Sequence, residues 1–389
     1  MAPSPPGAPL GLYLHIPFCA HICPYCDFNT YAGQEPLIPA YVDALEREIA
    51  REGERLDGRA ATTIFFGGGT PSLLTPEQVG RLVSACRDSF ALDSSVEISL
   101  EANPNGFDPT YAAGLFAAGV NRLSLGVQTQ RRRGLRVLGR LHEAADAQAA
   151  YLAARIAGFT NISLDLLFGW PGQTPSAWEN DLETVIAWDA TGPEHLSLYS
   201  LIVEPGTPMA DAVARGILQT PDDDATADLY EAAIARLATV GYTHYEVANW
   251  ARSLDVVAHH NVLYWRNGDY IGCGAGAHGH LAGRRTMNHL LPETYIAAID
   301  AGERAVSNTE EIESATAMGE TMMLGLRLLQ EGVSDAAFAA RHGVVLQSVY
   351  GATIAELTDL GLLRRDPERV RLTSRGLMLA NDVCVRFLP

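Results

Sequence analysis

The chain reads as an α/β protein: a partial, TIM-like (β/α)6 barrel followed by a helical, winged-helix-like accessory domain. Three observations predict this. Six short apolar strands alternate with amphipathic helices over the first 240 residues. Cysteines, glycines and polar side chains recur where those strands end. From about Thr309 helices follow one another without strands between them. Strand–helix alternation favours parallel βαβ units, and six such units suggest an open barrel rather than a closed eight-stranded one.

The expected strands are Leu12–Ile16, Thr62–Phe66, Val96–Glu101, Arg122–Val127, Asn161–Phe168 and His195–Leu201. Buried parallel strands are expected to be apolar runs. Between them, Glu35–Arg55 carries Tyr41, Leu45 and Ile49 at helical spacing. Thr75-Pro76 opens a helix to Phe90, and Thr174-Pro175 opens one to Trp188. In both, threonine caps and proline takes the first helical position, where no amide hydrogen is needed. Downstream, Ile312–Leu329, Ser334–Arg341 and Leu346–Leu360 read as helices. Short strands Leu362–Arg365 and Val370–Leu372 and a last helix, Ser374–Phe387, complete a winged-helix order. Five arginines between Arg364 and Arg375 raise DNA binding as a reading; the acidic chain favours a packing module instead. The expected division is a Pro-rich tail (1–9), the barrel (10–240), a connecting region (241–308) and the accessory domain (309–389).

Composition excludes some classes. The 389 residues are 47% apolar, enough for a large core, and the formal charge of −18 opposes broad binding to nucleic acid. No uncharged apolar run approaches the ~18 residues of a membrane span. Few cysteines and no targeting segment lead us to expect a reducing, cytoplasmic setting.

The chemistry starts at Cys19, Cys23 and Cys26, spaced C-x3-C-x2-C directly after the first strand. Three thiolates hold three irons of a [4Fe–4S] cube and leave the fourth iron for a small chelating ligand. A zinc site usually adds a second ligand pair, yet Cys86, Cys273 and Cys384 stand alone. The other strand ends carry Gly67-Gly68-Gly69-Thr70-Pro71-Ser72, Glu101-Ala102-Asn103-Pro104, Gly126-Val127-Gln128, Asp165 and Tyr199-Ser200. Barrel active sites lie at these ends. The glycine run offers bare backbone to a ligand amine. Glu101 and Asp165 accept from hydroxyls or an amine, Arg140 suits a carboxylate, and Tyr25 offers an aromatic face for a base.

The spacing and its context, Tyr13-Leu14-His15-Ile16-Pro17-Phe18-Cys19, resemble the radical S-adenosylmethionine (SAM) superfamily. Tyr13, Tyr25, Gly68, Gly69, Thr70, Glu101, Gln128, Arg140 and Asp165 match SAM-contacting positions of the oxygen-independent coproporphyrinogen oxidase family. The resemblance runs through Glu204-Pro205-Gly206-Thr207-Pro208 to the C-terminus. It implies a SAM-chelated [4Fe–4S] cluster on Cys19, Cys23 and Cys26. The oxidases carry a fourth cysteine two residues after the third, where this chain has Phe28, and a long N-terminal extension, where only twelve residues precede Tyr13. Both departures resemble the heme chaperone branch, HemW, and imply a protein without coproporphyrinogen oxidase activity.

His260-Asn261-Val262-Leu263-Tyr264-Trp265 resembles that branch's His-Asn-x-x-Tyr-Trp heme motif. Neutral imidazole is a common heme ligand; the other reading is a structural histidine beside buried aromatics. Gly274-x-Gly276-x-x-Gly279 lacks the helix and acidic residue of a dinucleotide site and reads as a loop. The implied partners are heme and a heme-accepting protein, a respiratory one near a membrane among the candidates, with the chain a monomer or dimer. The alternative is a radical SAM enzyme acting on a porphyrinogen or another organic substrate.

Overall fold

The computed structural model describes residues 9–389; the Pro-rich segment expected as a tail lies almost wholly outside them. All six barrel strands are present: Leu10–Ile16, Ala61–Gly68, Leu92–Ala102, Arg122–Gln128, Ile162–Phe168 and His195–Ser200. They pair in chain order and in parallel. Helices Ile38–Arg55, Pro76–Ser89, Pro109–Ala117, Ala144–Ala157 and Pro175–Ile186 return the chain between them. The Thr75 and Thr174 side chains cap their helices as expected.

The sheet does not stop at six strands. Thr243–Glu246 and Asn249–Ala251 continue it antiparallel beyond the sixth strand. Asp269–Cys273 lies parallel against the first strand, and His278–Leu281, Arg284–Asn288 and Val306–Glu311 extend that edge. The result is one twelve-stranded mixed sheet.

Strand residues alternate between two environments, because successive side chains point to opposite faces. One face carries Leu12, Leu14, Ile64, Ile98, Leu123, Leu164 and Leu196, each at most 1% exposed within a single core shared with the helices. The other face, toward the barrel axis, is polar. Ser124 donates across to Asp165, and Ser163 bonds Ser197 and His195. The expectation of apolar runs therefore holds for the outer face only.

The short helix His259–Trp265 closes the N-terminal end of the barrel. Glu97 accepts hydrogen bonds from its first amides, those of His259 and His260, at 2.9 and 3.0 Å. This carboxylate satisfies helix-terminal donors that have no partner within the helix.

The C-terminal module has its own apolar core, including Met322, Val333, Phe338, Ile354 and Phe387. Helices Ser314–Gly325, Asp335–His342 and Leu346–Asp359 accompany a three-stranded sheet of Val333–Ser334, Arg369–Leu372 and Leu363–Asp366, whose first strand lies between the first two helices in the chain. The expected last helix is broken at Leu379 into Ser374–Met378 and Ala380–Val385. Arg365 and Arg371 pair with Asp335 and Asp366, while Arg369 and Arg375 donate to carbonyls of Glu331 and Leu360. The module's arginines thus largely hold its own fold. No helix among the described residues is long and apolar enough to cross a membrane.

Phe387 is 2% exposed in that second core. Phe387→Ala is expected to cost about 3–5 kcal/mol. Chemical denaturation of the variant should show the C-terminal module melting ahead of the barrel.

Candidate functional site

The cysteine loop has little regular structure. Phe18–Cys19 pairs with Tyr31–Ala32, and the Cys26 amide donates to the Cys23 carbonyl at 3.1 Å. His15 fixes its far end. The Asn29 carbonyl can only accept, so Nε2 of His15 donates to it at 3.0 Å, and Nδ1 accepts from the Tyr13 hydroxyl at 2.9 Å. Burial holds this imidazole in its neutral form.

All six cysteines are free thiols. Burial pushes the Cys19 and Cys26 thiols up, so bare thiolates there are unfavourable. A bound cation removes that penalty. Among the described residues, no three His, Cys, Asp or Glu side chains converge to hold one metal ion. A cubic cluster, by contrast, takes its thiolates at separate corners. The donor set fits such a cluster.

A chain of hydrogen bonds crosses the barrel mouth from this loop and returns to it. Arg140 donates to the Tyr25 hydroxyl at 2.8 Å and to Oδ1 of Asn103 at 3.0 Å. Asn103 donates to the Thr70 hydroxyl at 3.2 Å, and Thr70 donates to Cys19 Sγ at 3.4 Å. The Nε–H of Arg140 is buried and has no protein partner among the described residues. It is a donor suited to a ligand carboxylate.

In the glycine run the backbone groups left for a ligand amine are its carbonyls. Its amides are already used: Gly68 donates to Glu101, Gly69 to the Ile16 carbonyl and Thr70 to the Phe18 carbonyl. An ammonium needs acceptors, which here are carbonyl oxygens. Gly68 has φ +112°, and a Cβ there would lie 2.6 Å from the His15 ring. Glycine is required by this close approach.

Glu101 and Asp165 lie deep in the barrel and keep partial access to its interior. Burial and the nearby Asp165 charge push Glu101 up to about 8. Burial also raises Asp165, against hydrogen bonds from serine hydroxyls. Gln128 ends the fourth strand at φ +66°, a left-handed conformation uncommon outside glycine. A Cβ on Gly126 would lie 2.9 Å from its Nε2 and 3.2 Å from Asn103 Oδ1, so the amide faces the same mouth. The Tyr25 ring is packed with Leu138, Leu167, Trp170 and Leu201.

His260 is not brought to this mouth. It is fully buried at the opposite end of the barrel, stacked on Phe65 at 5.1 Å. Its Nδ1 bonds the Thr63 hydroxyl at 2.8 Å and its Nε2 the Tyr264 hydroxyl at 2.7 Å. Burial and Arg122 keep it neutral, down to about 3. Both nitrogens are engaged, so in this arrangement neither is open to an iron. Asn103 and His15 were not singled out from sequence. Asn103 was within the quoted strand-end segment, and His15 alternates with Tyr13 on the inward face.

A three-cysteine loop over a half-open barrel with acidic, amide and guanidinium groups at its mouth defines a radical SAM protein. Residues 13–185 match the Radical SAM superfamily model, and residues 312–379 match the HemN C-terminal domain. The heme chaperone HemW of Bacillus subtilis is 38% identical, over 97% of this chain and 98% of its own. HemW of Mycobacterium tuberculosis is 39% identical over 100% and 96%. A mitochondrial radical SAM domain-containing protein 1 of Mus musculus is 32% identical over 100% and 89%. The coproporphyrinogen III oxidase HemN of Escherichia coli superposes with a TM-score of 0.83 at 25% identity, over 98% and 90%. The chain belongs to the HemW family of the radical SAM superfamily. Membership in that superfamily implies SAM and a [4Fe–4S] cluster as cofactors.

Glu101 gives a pH test. Above pH ~4.5 the unfolded carboxyl ionises while the folded one keeps its proton to about 8, so folding loses stability across that window. Glu101→Gln should therefore raise the melting temperature of the ligand-free protein at pH 8. The gain should vanish at pH 4.

Proposed function

We propose that this chain is a heme chaperone: it binds heme and delivers it to an acceptor protein, and it carries a SAM-chelated [4Fe–4S] cluster. The observation that carries this reading is Phe28. It stands where the oxidases of the resembled family have a fourth cysteine, and it is 69% exposed beside the cluster loop. The full-length similarity to HemW proteins supports the same branch. The acceptor we propose is a respiratory heme protein met near a membrane.

Cys19, Cys23 and Cys26 would hold the cluster, whose chemistry when bound is to supply an electron to SAM. Toward SAM, Arg140 Nε would meet the carboxylate. Carbonyls of Gly68 and Gly69 would take the amine, and Glu101 and Asp165 the ribose hydroxyls. Tyr13, Tyr25, Thr70 and Gln128 complete the pocket. Cys23→Ser should lose most of its iron after anaerobic reconstitution while its circular dichroism stays that of the native fold. Unchanged iron content would remove the assignment.

Heme contact at His260 requires the Tyr264 hydrogen bond to break and helix His259–Trp265 to leave the barrel end. An anaerobic heme titration followed by the Soret band and gel filtration tests this. We expect stoichiometric, retained heme in the wild type, weaker retention in His260→Ala and faster uptake in Tyr264→Phe. An identical Soret band in His260→Ala would exclude His260 as ligand without excluding heme binding. No saturable binding would instead favour a radical SAM enzyme acting on a porphyrinogen or another organic substrate, with substrate-dependent 5′-deoxyadenosine as its signature.

A further inference from the structure

The barrel interior holds an arginine that the cluster and SAM assignments do not use. Arg122 opens the fourth strand and is 2% exposed. Among the described residues it makes no ion pair or side-chain hydrogen bond, and its Nε is fully enclosed without a partner. Its register neighbour on the third strand, Ser99, likewise has an enclosed hydroxyl without a partner. A buried cation in this state is costly unless nearby negative charge offsets it. Glu101 is two residues along the same face of the third strand, and Asp165 faces it from the fifth, bonded to Ser124 of Arg122's own strand.

We propose that Arg122 is a positioning residue of the mouth: a buried counter-ion, acting without direct contact, that keeps one negative charge on the Glu101–Asp165 pair. The idea deepens the reading that these carboxylates meet SAM and rests on it for its functional consequence. SAM brings a sulfonium and an ammonium, so a pair that held two protons would offer it no charge. The other titratable groups around Arg122 are Glu97 on the third strand, His195 on the sixth, Tyr245 on Thr243–Glu246 and His260 on the closing helix, and those facing the carboxylate pair are Tyr13 on the first strand, Tyr199 on the sixth and Tyr264 on the closing helix. Both histidines are held neutral by burial and by Arg122 itself. Glu97 is committed to capping that helix. The Glu101–Asp165 pair is thus the charge that Arg122 can regulate, and its field lowers the proton affinity of both.

The test is an infrared titration of the ligand-free protein. The carboxylic-acid band is assigned by its loss in Glu101→Gln and Asp165→Asn. Arg122→Gln should move the titration midpoint upward by a pH unit or more, and Arg122→Lys should restore it. Ser99→Asp, which sets a competing carboxylate beside Arg122, should also raise it and does not depend on the Gln variant folding. Unmoved midpoints in Arg122→Gln and Ser99→Asp would overturn the proposal. SAM affinity at pH 7 should fall about tenfold in Arg122→Gln, the equivalent of one pH unit, and recover as pH rises. Wild-type SAM affinity in both Glu101→Gln and Asp165→Asn would instead refute the SAM reading, while the infrared midpoints would still decide the role of Arg122.

Discussion

The chain of hydrogen bonds running Tyr25, Arg140, Asn103, Thr70 and Cys19 is the constraint on which the mouth depends. A loop with one two-residue strand pair cannot set three thiols by its own backbone. Its shape is borrowed from the ends of three barrel strands, because Thr70 follows the second, Asn103 the third and Arg140 the fourth. Hydrogen bonds that each contribute about 1 kcal/mol in isolation are worth more in such a series, since each fixes the orientation of the next donor. The glycine run belongs to the same device. By lying within van der Waals reach of His15 and the Ile16 and Phe18 carbonyls, it brings Thr70 close enough to donate to a sulfur.

The second requirement is the polar axis. A closed barrel fills its interior with branched aliphatics. This one lines it with serines, acids, two histidines and an arginine, and seals one end with a helix. Most of those groups are satisfied by bonds between strands, such as Ser163 to His195 and Ser197. Arg122 and Ser99 keep enclosed polar atoms without a partner deeper in the barrel, and Arg140 does so at the mouth, where a ligand with hydroxyl, amine and carboxylate groups has its counterparts. His260 belongs to the satisfied set, and Tyr264 and Thr63 account for both its nitrogens.

Much of this was legible in the sequence. The six strands stood out because their outer faces are almost wholly Leu, Ile, Val and Phe, and their ends carry the residues of the mouth. Other parts are hidden by the residues themselves. The alternations Glu97, Ser99, Glu101 and Arg122, Ser124 mark a polar inner face with period two, yet an apolar run was expected. Residues 243–311 lack the strand–helix rhythm, so their six short strands were not visible as sheet. Of the two partners of His260, Tyr264 lies in its own motif, but Thr63 lies almost two hundred residues away, and no local pattern carries that second bond. The roles of the glycine amides are likewise set by the first and third strands and not by the run itself.

The pairing of Leu10 with Asp269 has a consequence for how the molecule is made. The first barrel strand has its neighbour on that side some 260 residues downstream, so that flank stays open until the chain has been made through Asp269–Cys273. Closing so long a loop is entropically slow, and an unpaired parallel edge is a template for other chains. The cysteine loop hangs from that strand, so it matures on a partly built sheet.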